Sequence, residues 1–190
     1  MFGTMHSKSA AVVVAVTLLA GSCTSLVFGD AVKVIAPRSI GELRKTATLH
    51  LGKTADWVAI APDAVWVGST GPFAVHRIDP KTNRRVATVK LPGEPCAGLA
   101  TGFGSLWVPL CGRSQMLAKV DLESNRLLNV FKIGPAAAEG GVTASPDSIW
   151  LVVDKDGSLA RIDPATGTVL RQFVSLLART IRSTAMARSG

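Results

Sequence analysis

Three tandem copies of one pattern of about 42 residues predict an all-β chain built from β-propeller-type blades. Two residue types recur in step along the 190-residue sequence. The tryptophans lie 41 and 43 residues apart and the aspartates lie 42 apart: Trp66, Trp107, Trp150, Asp79, Asp121 and Asp163. Four strand-like runs lie within each period, a combination typical of propeller blades. The predicted blades span about 55–93, 97–135 and 141–173.

Each repeat predicts four strands in a fixed order. A short apolar inner strand leads through a Gly or Pro-Asp turn into a second strand that carries the tryptophan (AVWVGS in the first repeat). Apolar residues on both faces of this second strand indicate burial between stacked sheets, with tryptophan filling the space between neighbouring blades. A more polar fourth strand is expected at the outer edge.

The third strand of each repeat ends at the recurring aspartate. Its carboxylate is placed to accept hydrogen bonds from the amides of the following turn, and Asn or Gly is expected in the left-handed position of that turn. We therefore interpret Asp79, Asp121 and Asp163 as structural residues, not catalytic ones.

The predicted ring is incomplete. Residues 47–52 (ATLHLG) match the outer strands of the repeats and predict a lone N-terminal outer strand. Propellers usually contain four to eight blades, so three blades leave two apolar sheet faces without partners. Residues 174–190 form a basic tail without the repeat pattern. Three interpretations stay open for this end: non-native sequence after a truncation or frameshift, a capping helix, and self-association of two three-bladed chains that completes a ring.

The N-terminus predicts export. The apolar run from Ala10 to Ala20 has the length of a signal-peptide core, which predicts a signal peptide over 1–22 and a linker over 23–46. Small residues precede Cys23 in a pattern similar to a lipobox, although Leu19 stands one position too early. Cys23 is therefore the lipidation candidate, and simple secretion or an uncleaved anchor are the alternatives. We expect a periplasmic or extracellular protein, which lipidation of Cys23 would tether to a membrane.

Composition excludes two classes of protein. An apolar fraction of 47% is too high for a disordered chain. The net charge of +8 is partly concentrated at the C-terminus, where four arginines and no acid occur in the last twenty residues. Because no basic run interleaves with aromatic residues, we predict no nucleic-acid partner.

Two cysteines of the second repeat predict a disulfide. A hairpin turning at Phe103-Gly104 pairs positions whose numbers sum to 207, which sets Ala100 opposite Trp107 and Cys96 opposite Cys111. Opposed cysteines come within bonding distance in an oxidising compartment. The alternative is a pair of buried or edge thiols.

No catalytic, cofactor-binding or metal-binding residue is predicted. His76 is the one histidine within the repeats and is expected to be a surface or edge residue. Zinc-ligand spacings are absent, and Gly102-x-Gly104 and the Asp154–Gly157 segment are interpreted as turns.

The repeats resemble a known family. The segments GFGSLWV (102–108) and RIDPATG (161–167) resemble bacterial YVTN-type propeller repeats and the related streptogramin (virginiamycin B) lyase-like propellers. This resemblance implies a ring of six to eight blades, often exported, that binds ligands along its axial channel. The lyases use His and Glu with a magnesium ion, but no His-x-Glu or Glu-x-His pair occurs in this sequence.

These observations favour an exported binding or scaffold protein of the cell envelope, with an unknown protein or small-molecule ligand. The alternative is a fragment of a lyase-like or quinoprotein-type propeller enzyme.

Overall fold

A computed structural model describes residues 37, 39–135, 140–153 and 157–174. The predicted signal peptide, Cys23, most of the predicted linker, and the tail beyond residue 174 lie outside the described residues. The chain divides into two units, Met1–Arg44 and Lys45–Gly190. In the first unit, a 3₁₀ turn spans Ile40–Glu42, and the Ser39 side chain at its start accepts a hydrogen bond from the Gly41 amide.

The second unit contains three antiparallel sheets that correspond to the three repeats. Blade 1 consists of β1 (Thr54–Ala61), β2 (Ala64–Thr70), β3 (Ala74–Asp79) and β4 (Arg84–Lys90). Blade 2 consists of β5 (Glu94–Pro95), β6 (Ala100–Gly102), β7 (Ser105–Cys111), β8 (Met116–Asp121) and β9 (Leu127–Phe131). Blade 3 consists of β10 (Val142–Ala144), β11 (Ile149–Val152), β12 (Leu159–Ile162) and β13 (Val169–Phe173). Strands follow one another in sequence order across blades 1 and 3.

The prediction of an all-β chain with three blades and an incomplete ring is confirmed. The described residues form three separate sheets that do not close into a ring. A register shift recurs at the same place in each blade, between the third and fourth strands, at Arg77/Ile78, Lys119/Val120 and Arg161/Ile162. Repetition of this irregularity shows that the three sheets are copies of one structural unit.

Two details of the predicted strands are wrong. Residues 47–52 form no strand, because β4, β9 and β13 already occupy the outer position of each described blade. Leu51 from this segment is buried instead. The inner strand of blade 2 is also divided, since residues 96–99 leave the ladder between β5 and β6.

The core lies between the blades and not within any one of them. One apolar cluster joins residues of blades 1 and 2, and a second joins residues of blades 2 and 3. A single four-stranded sheet cannot bury its apolar side chains alone, so each blade depends on its neighbour. Within the described parts of the chain, no helix has the length and apolar character needed to cross a membrane.

Candidate binding surface

Every blade has two distinct sides. One side carries the recurring tryptophan, and we call it the Trp face. The opposite side carries the apolar residues that flank the tryptophan in the second strand, and we call it the receiving face. In blade 1 the Trp face includes Trp66 and Val75, whereas Val65 and Val67 belong to the receiving face, because neighbouring residues of a strand point to opposite sides of the sheet.

The Trp face of one blade packs on the receiving face of the next. Trp66 is fully buried in a cluster with Leu106, Val108 and Val120 of blade 2. Trp107 is likewise fully buried, with residues of blade 3 around it, and its ring stacks on Phe131 at a centroid distance of 6.1 Å. The predicted position of these two tryptophans between blades agrees with this packing.

Two faces at the ends of the stack are open. Trp150 occupies the Trp face of blade 3 but is only half-buried, and Phe173 beside it is 40% exposed. At the other end, the receiving face of blade 1 exposes Val58 by 55% and Ile60 by 77%. Val58 and Phe173 are exposed at positions that are buried in the other blades, so we treat the two open faces as the candidate binding surface.

Cations border the Trp faces. Lys119 Nζ lies 5.2 Å from the centroid of the Trp107 ring and 2.8 Å from the carbonyl oxygen of Pro164 in blade 3. Arg161 Cζ lies 5.9 Å from the Trp150 ring, and its guanidinium donates to Asp147 at 2.6 Å. Lys119 therefore bonds across to the next blade, whereas Arg161 bonds within its own blade, as the aligned Arg77 of blade 1 does to Asp63.

A buried polar cluster lies on the receiving face of blade 1. His76 Nε2 is 2.8 Å from Ser69 Oγ, and His76 Nδ1 is 3.0 Å from Thr88 Oγ1. Burial, with a smaller contribution from the positive charge of Arg85, lowers the pKa of His76. The imidazole is therefore neutral at pH 7, with both nitrogens engaged by hydroxyl groups.

The expectation that His76 is a surface or edge residue is wrong, since only 2% of it is exposed. Its alternation with Arg77 and Ile78 points its side chain to the receiving face. The repeat alignment contained this signal, because His76 stands where the buried Ala118 and Ala160 stand in the other blades. Neither Ser69 nor Thr88 was identified from the sequence.

The recurring aspartates lie in the turns after the third strands. Asp79 accepts hydrogen bonds from the Lys81 amide at 2.8 Å and from the Thr82 hydroxyl at 2.9 Å. Asp121 is bonded by the amide and hydroxyl of Ser124, and Asp163 by the amides of Ala165 and Thr166. The backbone and hydroxyl donors of each turn hold the pKa of each carboxyl below its usual range.

The left-handed position predicted for these turns is confirmed. Asn83, Asn125 and Gly167 have φ values of 54°, 57° and 72°. In this geometry each aspartate accepts hydrogen bonds from its own turn, and the three carboxylates do not converge on one another.

Cys96 and Cys111 are joined by a disulfide with their Cα atoms 5.6 Å apart. The predicted register is correct for Ala100 and Trp107 but wrong for the cysteines, because Glu94 is the residue that pairs with Cys111. The break at residues 96–99 shifts the ladder by two positions, and the Cys96 amide bonds to the carbonyl oxygen of Pro109. The disulfide therefore lies diagonally across the two strands.

A small cleft of about 190 Å³ lies beside this disulfide, lined by residues of blades 1 and 2 that include Asp56, Trp57, Ser69 and Glu94. Two exposed carboxylates give it an acidic rim. Among the residues that the structure describes, no group of three or more His, Cys, Asp or Glu side chains could hold a metal ion.

Comparison with known proteins identifies the fold. No protein-family model matches the sequence, and no curated protein matches it. Solved structures do match. Hydrazine synthase of Kuenenia stuttgartiensis is similar with a TM-score of 0.55 and 16% identity, over 67% of this chain and 38% of that one. The WD40 repeats of RRP9 are similar with a TM-score of 0.53 and 13% identity, over 64% and 38%.

The dihydro-heme d1 dehydrogenase NirN is similar with a TM-score of 0.50 and 21% identity, over 63% of this chain and 28% of that one. The described sheets are β-propeller blades. At these identities the likeness shows the fold alone, since propellers support many functions. The chain spans between 28% and 38% of the length of these three structures.

Proposed function

We propose that this chain is an exported β-propeller scaffold that binds a protein partner through the open faces of its blade stack. The observation that supports this proposal is the exposure of Val58 and Phe173 at positions whose counterparts in the other blades are buried. Covering such apolar surface is favourable by roughly 25 cal/mol per Å². A partner that covers both faces would bury the two end blades as the middle blade is already buried.

Export is the second part of the proposal. The apolar segment before Cys23 has the features of a signal peptide, and the Cys96–Cys111 disulfide suits an oxidising compartment. We place the protein at the cell envelope, either secreted into the periplasm or medium or tethered through lipidated Cys23. The repeat type that we propose is the YVTN-type or streptogramin lyase-like repeat.

An enzymatic role has less support from the described residues. His76 is buried between two hydroxyl groups, without a carboxylate partner, and the recurring aspartates cap turns. The general acid–base groups of an enzyme must reach a substrate, and none of these side chains is positioned to do so. We therefore favour a scaffold over a fragment of a lyase-like or quinoprotein-type enzyme.

Cell fractionation tests export. The protein should be recovered outside the cytoplasm without its leader, and Cys96 and Cys111 should resist thiol labelling until a reductant is added. If lipidation tethers the protein, Cys23→Ala should move it from the membrane to the soluble fraction. Recovery of unprocessed protein in the cytoplasm with both thiols reactive would contradict the proposed export.

Site-specific photocrosslinking tests the binding surface. A benzophenone amino acid at Ile60, on the open receiving face, should crosslink a defined partner in intact cells. The matched control is Leu128, which is 54% exposed on the outer strand of blade 2, whose two faces are already covered. Equal crosslinking from both positions, or none from Ile60, would contradict a binding role for the open face.

A further inference from the structure

Four apolar positions define a receiving face, and they recur in every blade. Cross-strand pairing with the tryptophan strand aligns all of them except Leu99, which directly precedes the paired Ala100. These positions are Val58, Val65, Val67 and Ile78 in blade 1, Leu99, Leu106, Val108 and Val120 in blade 2, and Val142, Ile149, Leu151 and Ile162 in blade 3. All eight residues in blades 2 and 3 are buried by a neighbouring Trp face. Blade 1 has the same residue types, but only Ile78 is buried, whereas Val58 is exposed and Val65 and Val67 are half-buried.

The Trp faces show the same relationship in reverse. Their aligned apolar residues are Trp66, Val75 and Val89 in blade 1, Trp107, Leu117 and Phe131 in blade 2, and Trp150, Leu159 and Phe173 in blade 3. Those of blades 1 and 2 are buried, whereas none of the three in blade 3 is. Among the residues that the structure describes, the Trp face of blade 3 therefore meets no receiving face, and the receiving face of blade 1 meets no Trp face.

We propose that a second copy of this chain supplies both missing faces, so that the Trp face of blade 3 in one copy packs on the receiving face of blade 1 in the other. The contact is head-to-tail, and two such contacts would close six blades into a ring. This inference rests on the proposed scaffold function and names its partner.

The interblade contacts within the chain indicate which residues would meet between copies. Arg161 of blade 3 is expected to keep its bond to Asp147 at this contact, because the aligned Arg77 bonds to Asp63 within blade 1 although blade 2 covers its Trp face. Gly102 lies against Ala144, and Thr101 Oγ1 lies 3.4 Å from the Ile60 carbonyl oxygen. If the contact between Gly102 and Ala144 is repeated one blade further along the ring, Ser145 of one copy lies beside Ile60 of the other.

The polar substitutions on the blade 1 receiving face do not oppose this packing. His76 replaces the alanine of the other blades, and both of its ring nitrogens are already bonded to Ser69 and Thr88, which are themselves polar replacements on this face. The face therefore buries no unpaired polar group of this cluster when a second copy covers it.

Sedimentation velocity of the full chain tests the inference with two face variants. Val58→Asp alters the receiving face, and Phe173→Asp alters the Trp face. The control is Leu128→Asp, which adds the same charge at an exposed apolar residue away from both open faces. Each face variant should weaken self-association at least about tenfold, because a charge is then buried without a partner, and the control should not. Circular dichroism should show all three variants folded.

Mixing the two face variants separates head-to-tail packing from other arrangements. The Val58→Asp copy retains an intact Trp face, and the Phe173→Asp copy retains an intact receiving face. Their mixture should therefore recover a species of twice the chain mass that neither variant forms alone. Loss of association from Val58→Asp alone, with Phe173→Asp unaffected, would overturn the inference, because it would show two receiving faces packing together.

Two further results would overturn the inference while leaving the scaffold proposal intact. The wild-type chain could remain monomeric at every concentration while Ile60 still crosslinks a different protein in cells. Alternatively, the intact mass of the endogenous protein could exceed that of this chain, so that its own further blades cover the two faces. Failure of the scaffold proposal is distinguished by the absence of any crosslink from Ile60.

Discussion

The ammonium group of Lys119 donates a hydrogen bond to the carbonyl oxygen of Pro164, with the two atoms 2.8 Å apart, and so joins blade 2 directly to blade 3. The same ammonium lies 5.2 Å from the centroid of the Trp107 ring, which is itself buried between these blades. Lys119 therefore bonds to blade 3 and covers the buried Trp107 of its own blade.

Replacing Lys119 should weaken the interface between blades 2 and 3. Lys119→Met keeps the apolar stem but removes the charged donor, and we expect a loss of about 1.5 kcal/mol in the free energy of unfolding. Lys90→Met is the control, since Lys90 is exposed on an outer strand and should change stability by less than about 0.5 kcal/mol. Urea unfolding measures both, and equal effects would show that the Pro164 contact does not stabilise the protein.

The disulfide should contribute more than any single hydrogen bond. Cys96 and Cys111 are 15 residues apart in sequence, and closing such a loop restricts the unfolded chain by about 3 kcal/mol. The Cys96→Ala/Cys111→Ala double variant should unfold at a correspondingly lower urea concentration. If reduction of the wild-type protein leaves its unfolding curve unchanged, the bond is not formed in solution.

Close packing of the inner strands makes one glycine sensitive to a single methyl group. A Cβ atom at Gly102 would lie 2.5 Å from the Ala144 Cβ, whereas a Cβ atom at Gly98 would meet nothing within 4 Å. Gly102→Ala should therefore destabilise the protein by about 1–3 kcal/mol by overpacking the blade 2–blade 3 contact. Gly98→Ala, the matched control, should be neutral within about 0.5 kcal/mol, and a comparable loss at both sites would contradict this packing.

Stability should depend on pH through His76. Burial lowers the pKa of this imidazole, so below about pH 6.5 the unfolded chain binds a proton more readily than the folded one. The contribution of neutral His76 to the free energy of unfolding is present in full above the pKa of the unfolded state, and it is lost as the pH falls below that value. Denaturant unfolding of wild type and His76→Gln between pH 7.5 and pH 5, in steps of about 0.5, should give a steeper loss for the wild type. Equal slopes would show that His76 is not buried as described.

The strands could be predicted from sequence because the pattern of each strand occurs three times, once in every repeat. Where one strand was ambiguous, its two counterparts carried the same alternation, and this is why the end of β3 at Asp79 was predicted correctly. The turns could be predicted equally well, since Asp followed by Asn or Gly at a fixed offset has one favourable geometry.

Features that break the repeat could not be predicted in this way. The register at Cys96 depends on four residues leaving the ladder after Pro95, and a numerical pairing rule assumes an unbroken hairpin. The cluster around His76 combines three residues that are far apart in sequence and has no counterpart in the other blades. The open faces follow from the repeat alignment, but their residues become apparent only when exposure is compared blade by blade.

Crosslinking between two cysteine variants tests most directly whether the open faces pair with each other. Ile60→Cys and Ser145→Cys would be made on a Cys23→Ala background, mixed, and treated with a short bismaleimide reagent. Head-to-tail packing predicts a product of twice the chain mass from the mixture and none from either variant alone. No product from the mixture, or a product from Ile60→Cys by itself, would contradict the pairing of the blade 3 Trp face with the blade 1 receiving face.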